Sequence, residues 1–141
     1  LAIIKMTNKQ LTEDETIEFL INYNDNWTIE SYSLGQKRGY DIVANKLNEK
    51  LIIEVKGAKA SGNSLTKKRP YFDSGQIKTH FGKAIIKSFE TQNNYPSSKV
   101  AIAHLDTEYL RKTIGSLIPN INKLGILHFW VKEDGTVLIE E

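Results

Sequence analysis

Residues 41–57 read DIVANKLNEKLIIEVKG and contain the pattern that decides the fold. Two largely apolar runs, residues 41–44 and 51–55, flank a polar turn at residues 46–49. Short apolar runs on either side of a polar turn are typical of two antiparallel strands. We therefore predict a β-hairpin here.

The register of this hairpin follows from its turn. With the turn centred between residues 47 and 48, Asp41 lies opposite Glu54, and directly opposed residues project from the same face of a sheet. Lys56 projects from that face too, because side chains alternate along a strand. We expect two carboxylates and one ammonium to converge at one end of the hairpin. The same rule pairs Val43 with Ile52 and Gly39 with Lys56.

Two facing carboxylates repel each other, so the pair calls for a compensating cation. Mg²⁺ or Mn²⁺ prefers oxygen ligands and often takes only one or two carboxylates from a protein. The pattern predicts Asp41 and Glu54 as metal ligands, with Lys56 orienting a water and stabilising negative charge. The alternative interpretation is a surface hairpin with an ordinary ion pair, since Glu-x-Lys alone is common.

The other predicted elements give the order α-β-β-β-α-β-α-β-β. This order implies an α/β fold with a mixed central β-sheet flanked by helices, in one domain over residues 1–141. An apolar stripe is expected on the second helix at Ile77, Phe81, Ala84, Ile85 and Phe89. The expected helices are residues 12–23, 76–92 and 107–124, the last divided near Pro119, and the other strands are residues 27–33, 99–105, 127–132 and 136–140.

Two short motifs, GYD at residues 39–41 and EVKG at residues 54–57, stand twelve residues apart. Together they resemble the PD-(D/E)xK nuclease superfamily, which includes restriction endonucleases and Holliday-junction resolvases. The resemblance implies a restriction-endonuclease-like core over residues 12–105, with the last helix and hairpin as peripheral additions. It also implies hydrolysis of DNA phosphodiester bonds by a metal-activated water, at a site with Asp41, Glu54 and Lys56.

The same resemblance draws attention to the start of the second helix. Gln76 and His80 share a helical face. By resemblance, Gln76 joins the catalytic site and His80 contacts a phosphate. The alternative is that both are exposed polar residues of an amphipathic helix.

Many members of the superfamily also carry an acidic residue on the first helix. The candidates here are Glu13, Asp14, Glu15 and Glu18. The helical phase favours Asp14, and Glu15 already has a role in a capping box with Thr12.

The loop at residues 57–74 is long and basic, which favours contacts with the phosphate backbone of DNA. The alternative is a solvated basic loop, and the chain's net charge of +2 is only mildly basic. The predicted nucleic-acid-binding residues are Lys59, Lys67, Lys68, Arg69 and His80.

The composition limits the remaining expectations. Cysteine is absent, so disulfides and thiolate metal sites are excluded, and no apolar run is long enough for a membrane span. We expect a cytoplasmic protein, and the resemblance implies a homodimer because two DNA strands need two sites. His104 and His128 lie in apolar strand contexts and are predicted to be structural. A nucleic-acid-binding module without catalysis and an unrelated α/β domain are the competing hypotheses.

Overall fold

Six strands form one mixed sheet in the computed structural model, which describes residues 12–21, 27–35, 39–57 and 71–141. The strands are β1 (Thr28–Tyr32), β2 (Ile42–Lys46), β3 (Glu49–Lys56), β4 (Lys99–Leu105), β5 (Ile126–Val131) and β6 (Val137–Glu140). They lie side by side in chain order. The first three are antiparallel, β4 and β5 run parallel to β3, and β6 is again antiparallel. The predicted α/β class with a mixed sheet is confirmed.

The helices are α1 (Glu13–Ile21), α2 (Ser74–Asn94), α3 (Glu108–Ile114) and α4 (Ile118–Lys123). The predicted third helix is therefore two helices, joined by a 3₁₀ turn at Gly115–Leu117. Pro119 lies in the first turn of α4, where its missing N–H costs no hydrogen bond. No helix in the described ranges has the length and apolar character needed to cross a membrane.

Helices cover both faces of the sheet, and each face has its own apolar core. Helix α1 packs on one face with Ile17 and Leu20, and the other helices pack on the opposite face with residues such as Phe81 and Leu110. Strands buried on both faces consist of nearly continuous apolar runs, as β4 does. Strand β5 is buried between β4 and β6, so the expectation that the last hairpin is peripheral was wrong for this strand.

The hairpin between β2 and β3 has the register that its sequence predicts. Val43 pairs with Ile52, and the turn residues Leu47 and Asn48 have φ angles of 48° and 69°. Positive φ at both central residues is the geometry of a two-residue turn whose twist matches the flanking strands. The turn thereby fixes which side chains share a face.

The buried stripe of α2 differs from the predicted one at its end. Phe89 is 39% exposed, whereas Ser88 is buried and its hydroxyl donates to the carbonyl of Ala84 over 2.8 Å. Ser88 follows Ala84 by four residues and so lies above it on the same face. The local hydrogen bond satisfies its hydroxyl without another partner.

Two buried histidines contact each other on the face covered by α2. Nδ1 of His104 lies 2.8 Å from Nε2 of His128, and Phe81 and Trp130 pack against the pair. Both imidazoles are at most 1% exposed. Their placement agrees with the structural role predicted for them.

Candidate active site

Asp41 immediately precedes β2, and its side chain reaches across to β3. Oδ2 of Asp41 accepts a 2.8 Å hydrogen bond from the main-chain N–H of Val55. The β2–β3 ladder ends with Ile42 opposite Ile53, which brings Asp41 beside Glu54. Both carboxylates are largely buried, at 9% and 8% exposure.

Gly39 was expected to pair with Lys56, but that pair is not part of the ladder. Strand β2 begins at Ile42, and Gly39 lies outside it with a φ angle of 127°. The chain turns toward β1 here, where the N–H of Ser33 donates to the carbonyl of Asp41. The hairpin register therefore holds within the strands and ends at Asp41.

Glu54 lies between two lysines. Nζ of Lys56 is 3.4 Å from Oε1, and Nζ of Lys87 is 2.8 Å from Oε2. Oε2 is enclosed, and the Lys87 ammonium is its close partner among the described residues. A buried carboxylate oxygen with an incomplete set of partners can accept a further cation.

The N-terminus of α1 packs directly on Gly57. A Cβ at this position would lie 2.3 Å from the main-chain nitrogen of Glu13, so only glycine allows the contact. The contact brings Glu13 to the edge of the site, where its charge interacts with Lys56 and Glu54. Burial, and then the nearby carboxylates, raise the pKa of Glu13 against the lowering effect of Lys56.

Glu13 is thus the acidic residue of α1 that faces the site, and the phase argument for Asp14 was wrong. Both oxygens of Asp14 accept from the N–H of Gly35, at 2.9 and 3.1 Å. The predicted capping box is present, because Glu15 and Thr12 bond reciprocally. The first turn of a helix is positioned by what it packs against, here Gly57, and helical phase alone does not contain that contact.

The electrostatics of the site favour an additional positive charge. Burial, followed by the charge of Glu54, raises the pKa of Asp41 to about 7, against the lowering effect of the Val55 N–H. Burial lowers the pKa of Lys87, but its contact with Glu54 and the charges of Asp41 and Glu13 raise it more. Among the described residues, three carboxylates thus share two ammonium groups, which leaves excess negative charge when all of these groups are ionised.

The donor set fits a hard divalent cation held by two carboxylates. The described residues hold no cluster of three or more acidic, histidine or cysteine side chains arranged to hold a metal ion. Mg²⁺ does not need one, since it commonly keeps several waters and binds one or two carboxylates. Asp41 and Glu54, with the under-satisfied Oε2, fit this mode.

Gln76 has a structural partner that the sequence analysis overlooked. Its Oε1 accepts from the N–H of Asp73, while its own N–H donates to the Asp73 carboxylate, which forms a capping box at the start of α2. No hydrogen bond or ion pair between described residues joins Gln76 to Asp41 or Glu54. The signal was present in the sequence, because Asp followed three residues later by Gln is a capping pattern.

His80 lies within range of the charge of Lys56. Burial, and then the charges of Lys56 and Lys83, lower its pKa, and its ring packs edge-on against Phe72 with centroids 4.5 Å apart. The remaining predicted DNA contacts lie outside the described residues. These are Lys59, Lys67, Lys68 and Arg69.

Lys87 is the site residue that the sequence analysis missed. It follows His80 by seven residues, so both project from one flank of α2. His80 lies near Lys56, and Lys87 contacts Glu54, because α2 passes over the end of β3. The seven-residue spacing was the available signal.

Comparisons with known proteins support the fold and no more. No family model matches the chain, and no curated protein sequence matches it. The chain is similar to the crystal structure of an XisH family protein from Nostoc punctiforme, with 17% identity and a TM-score of 0.55, covering 89% of this chain and 95% of that one. This likeness shows a mixed six-stranded sheet with flanking helices, consistent with a restriction-endonuclease-like fold.

Proposed function

We propose that this chain is a metal-dependent nuclease of the PD-(D/E)xK type, which hydrolyses phosphodiester bonds of DNA with an activated water. One observation carries the proposal: the buried carboxylates of Asp41 and Glu54 meet beside Lys56 at one end of the sheet. Buried ionisable groups with shifted pKa values cluster at functional sites, and Asp41 has such a shift. An accidental surface pair would be exposed and screened by water.

Asp41 and Glu54 would hold the Mg²⁺ or Mn²⁺ ion. When bound, such an ion lowers the pKa of a water and polarises the phosphoryl group. The hydrogen bond from Val55 fixes Oδ2 of Asp41, so Oδ1 would be the oxygen that binds the ion. Glu13, at the edge of the same group, would bond to a metal-bound water.

Lys56 would orient the attacking water and stabilise the charge that develops on the phosphate. Its side chain is 19% exposed and ends 3.4 Å from Glu54, so a water or phosphate oxygen beside that carboxylate is within its reach. A fixed ammonium aimed at developing charge needs little reorganisation during the reaction. His80, whose lowered pKa favours the neutral imidazole, would donate a hydrogen bond to a phosphate rather than act as a cation.

DNA is the proposed substrate because of the basic segment that follows the site. The segment joins Gly57, next to Lys56, to Tyr71, close before α2. Lysines and arginine there would contact phosphates without reading sequence, so binding should weaken steeply with salt. We further propose a homodimer, since cutting both strands of a duplex needs two sites.

Cleavage of labelled DNA, with Glu54→Gln as the test variant, examines this function. The panel holds single-stranded, duplex, flap and four-way-junction DNA, each with Mg²⁺, Mn²⁺ or EDTA. Glu49→Gln is a matched control because Glu49 lies on the same strand, exposed and paired with Lys99. We expect metal-dependent cutting by the wild type and Glu49→Gln, and none by Glu54→Gln.

Other outcomes would change the assignment. Binding of every DNA form without cutting would favour the alternative, a nucleic-acid-binding module on the same fold. Equal cutting by Glu54→Gln would remove Glu54 from the chemistry. Neither binding nor cutting would leave the fold without this function.

A further inference from the structure

Lys87 approaches Glu54 more closely than Lys56 does, at 2.8 Å against 3.4 Å. We propose that Lys87 occupies the cation position of Glu54 in the metal-free protein, so that a divalent ion must displace its ammonium to bind. Lys87 then regulates how readily the site loads metal. This inference rests on the proposed function, because it assumes that Glu54 is a metal ligand.

The geometry at Glu54 favours this competition. Among the described residues, each oxygen of Glu54 has one ammonium beside it, and the Lys87 ammonium is the closer at 2.8 Å. A divalent ion on Oε2 would stand almost on top of that ammonium, and like charges at such distances repel strongly where water is scarce. The ion and the Lys87 ammonium therefore exclude each other at Oε2.

Lys87 is also the lysine that can leave. Its side chain is 41% exposed, whereas that of Lys56 is 19% exposed. Its ammonium already lies 5.9 Å from the centre of the Tyr40 ring, which is held edge-on by Tyr95. Water and an aromatic face both accept an ammonium, so the displaced side chain has a favourable place nearby.

Calorimetric titration of the full chain with Mn²⁺ tests the proposal. Lys87→Met removes the ammonium and keeps the length of the stem, and we expect it to tighten Mn²⁺ binding about 3- to 10-fold, as for the loss of one partly exposed competing ion pair. Lys87→Arg keeps the charge and should bind Mn²⁺ like the wild type. Lys83→Met is the matched control, because Lys83 lies one turn away on α2 and is exposed. This substitution removes the same charge without touching Glu54.

Thermal unfolding gives an independent readout. Without metal, Lys87→Met should melt below the wild type, because buried Glu54 loses a compensating charge. Saturating Mn²⁺ should then raise its Tm more than it raises that of the wild type. Glu54→Gln should lose both the Mn²⁺ affinity and the Tm shift.

Each other result overturns the inference, and the failures are distinguishable. Weaker Mn²⁺ binding by Lys87→Met would show that Lys87 supports the ion rather than competing with it. Equally tighter Mn²⁺ binding by Lys83→Met would show that the effect of Lys87→Met comes from the change in net charge alone. If neither the wild type nor any variant binds Mn²⁺, the proposed metal site fails too. If the wild type binds Mn²⁺, Glu54→Gln does not, and Lys87→Met binds it no more tightly than the wild type, the metal site stands and the inference about Lys87 fails.

Discussion

The main-chain N–H of Val55 donates a 2.8 Å hydrogen bond to Oδ2 of Asp41. Val55 stands between Glu54 and Lys56, so this one bond ties the carboxylate before β2 to the strand that carries the other two charged groups. Substitutions of Asp41 can therefore test two of its properties separately, its role as a hydrogen-bond acceptor and its charge.

Asp41→Asn removes the charge and keeps an oxygen that accepts from Val55. Burial and Glu54 raise the folded-state pKa to about 7 from 3.8, so folding binds a proton between these values, and wild-type stability is lost as the pH rises through 7. In EDTA, we expect the free energy of unfolding of Asp41→Asn to exceed that of the wild type by a margin that grows as the pH rises toward 7, at most about 1.4 kcal/mol per pH unit, and that is constant above it. Urea unfolding at pH 5 and pH 8 measures it.

Asp41→Ala is the matched comparison, because it removes the charge and the acceptor together. The N–H of Val55 then loses its partner, which costs about 1–3 kcal/mol where it stays buried. Asp41→Ala should therefore be less stable than Asp41→Asn at every pH. Equal stability of wild type and Asp41→Asn at pH 8 would contradict the charge argument.

Lys56→Met should abolish most of the cleavage while leaving metal binding intact. Removal of one group that stabilises transition-state charge typically lowers the rate about 10²- to 10³-fold. Single-turnover cleavage of the preferred DNA gives the rate, and Mn²⁺ titration gives the affinity. Lys50→Met is the control on the same strand, where Lys50 pairs with Glu30 at 3.5 Å. A similar loss in both variants would indicate weaker DNA binding rather than a catalytic role.

Gly57→Ala should displace the start of α1. Its Cβ would lie 2.3 Å from the nitrogen of Glu13 and 2.6 Å from the carbonyl carbon of Thr12, both main-chain atoms that can move only with the helix. We expect a loss of about 1–3 kcal/mol in the free energy of unfolding. Gly82→Ala on α2 is the control, since its Cβ meets nothing within 4 Å, and it should stabilise by up to about 1 kcal/mol. An unchanged stability in Gly57→Ala would refute the close packing.

Acid should destabilise the protein through the His104–His128 pair. Burial, with the charge of Lys56, lowers the pKa of His104 to about 3, and burial, with His104 and Arg111, lowers that of His128 well below 6.5. The unfolded chain then binds more protons below pH 6.5, so stability falls as the pH drops from 6.5 toward 3, by up to about 1.4 kcal/mol per pH unit for each histidine.

Urea unfolding between pH 7 and pH 5 checks this slope against a double variant, His104→Leu with His128→Leu. Replacing both partners of a buried polar pair by apolar groups of similar size can be nearly neutral at pH 7. The double variant should lose less stability on acidification than the wild type. Parallel pH profiles would assign the acid sensitivity to other groups.

Much of the fold could be predicted because its decisive pattern is local. The turn at Leu47 and Asn48 and the alternation along β3 set the hairpin register, and with it the shared face of Glu54 and Lys56. The capping box at Thr12 likewise involves neighbours in the chain. Such features depend on backbone geometry over a few residues, which the residue types already specify.

The sequence alone therefore determined the hairpin, its register and the carboxylate pair at its end. The tertiary structure alone decided that Glu13 rather than Asp14 faces the site and that Lys87 reaches Glu54 from thirty-three residues away. Which flank of a helix meets a sheet depends on how the two pack, and that packing is set by contacts such as Gly57 against α1, which are distant in the chain.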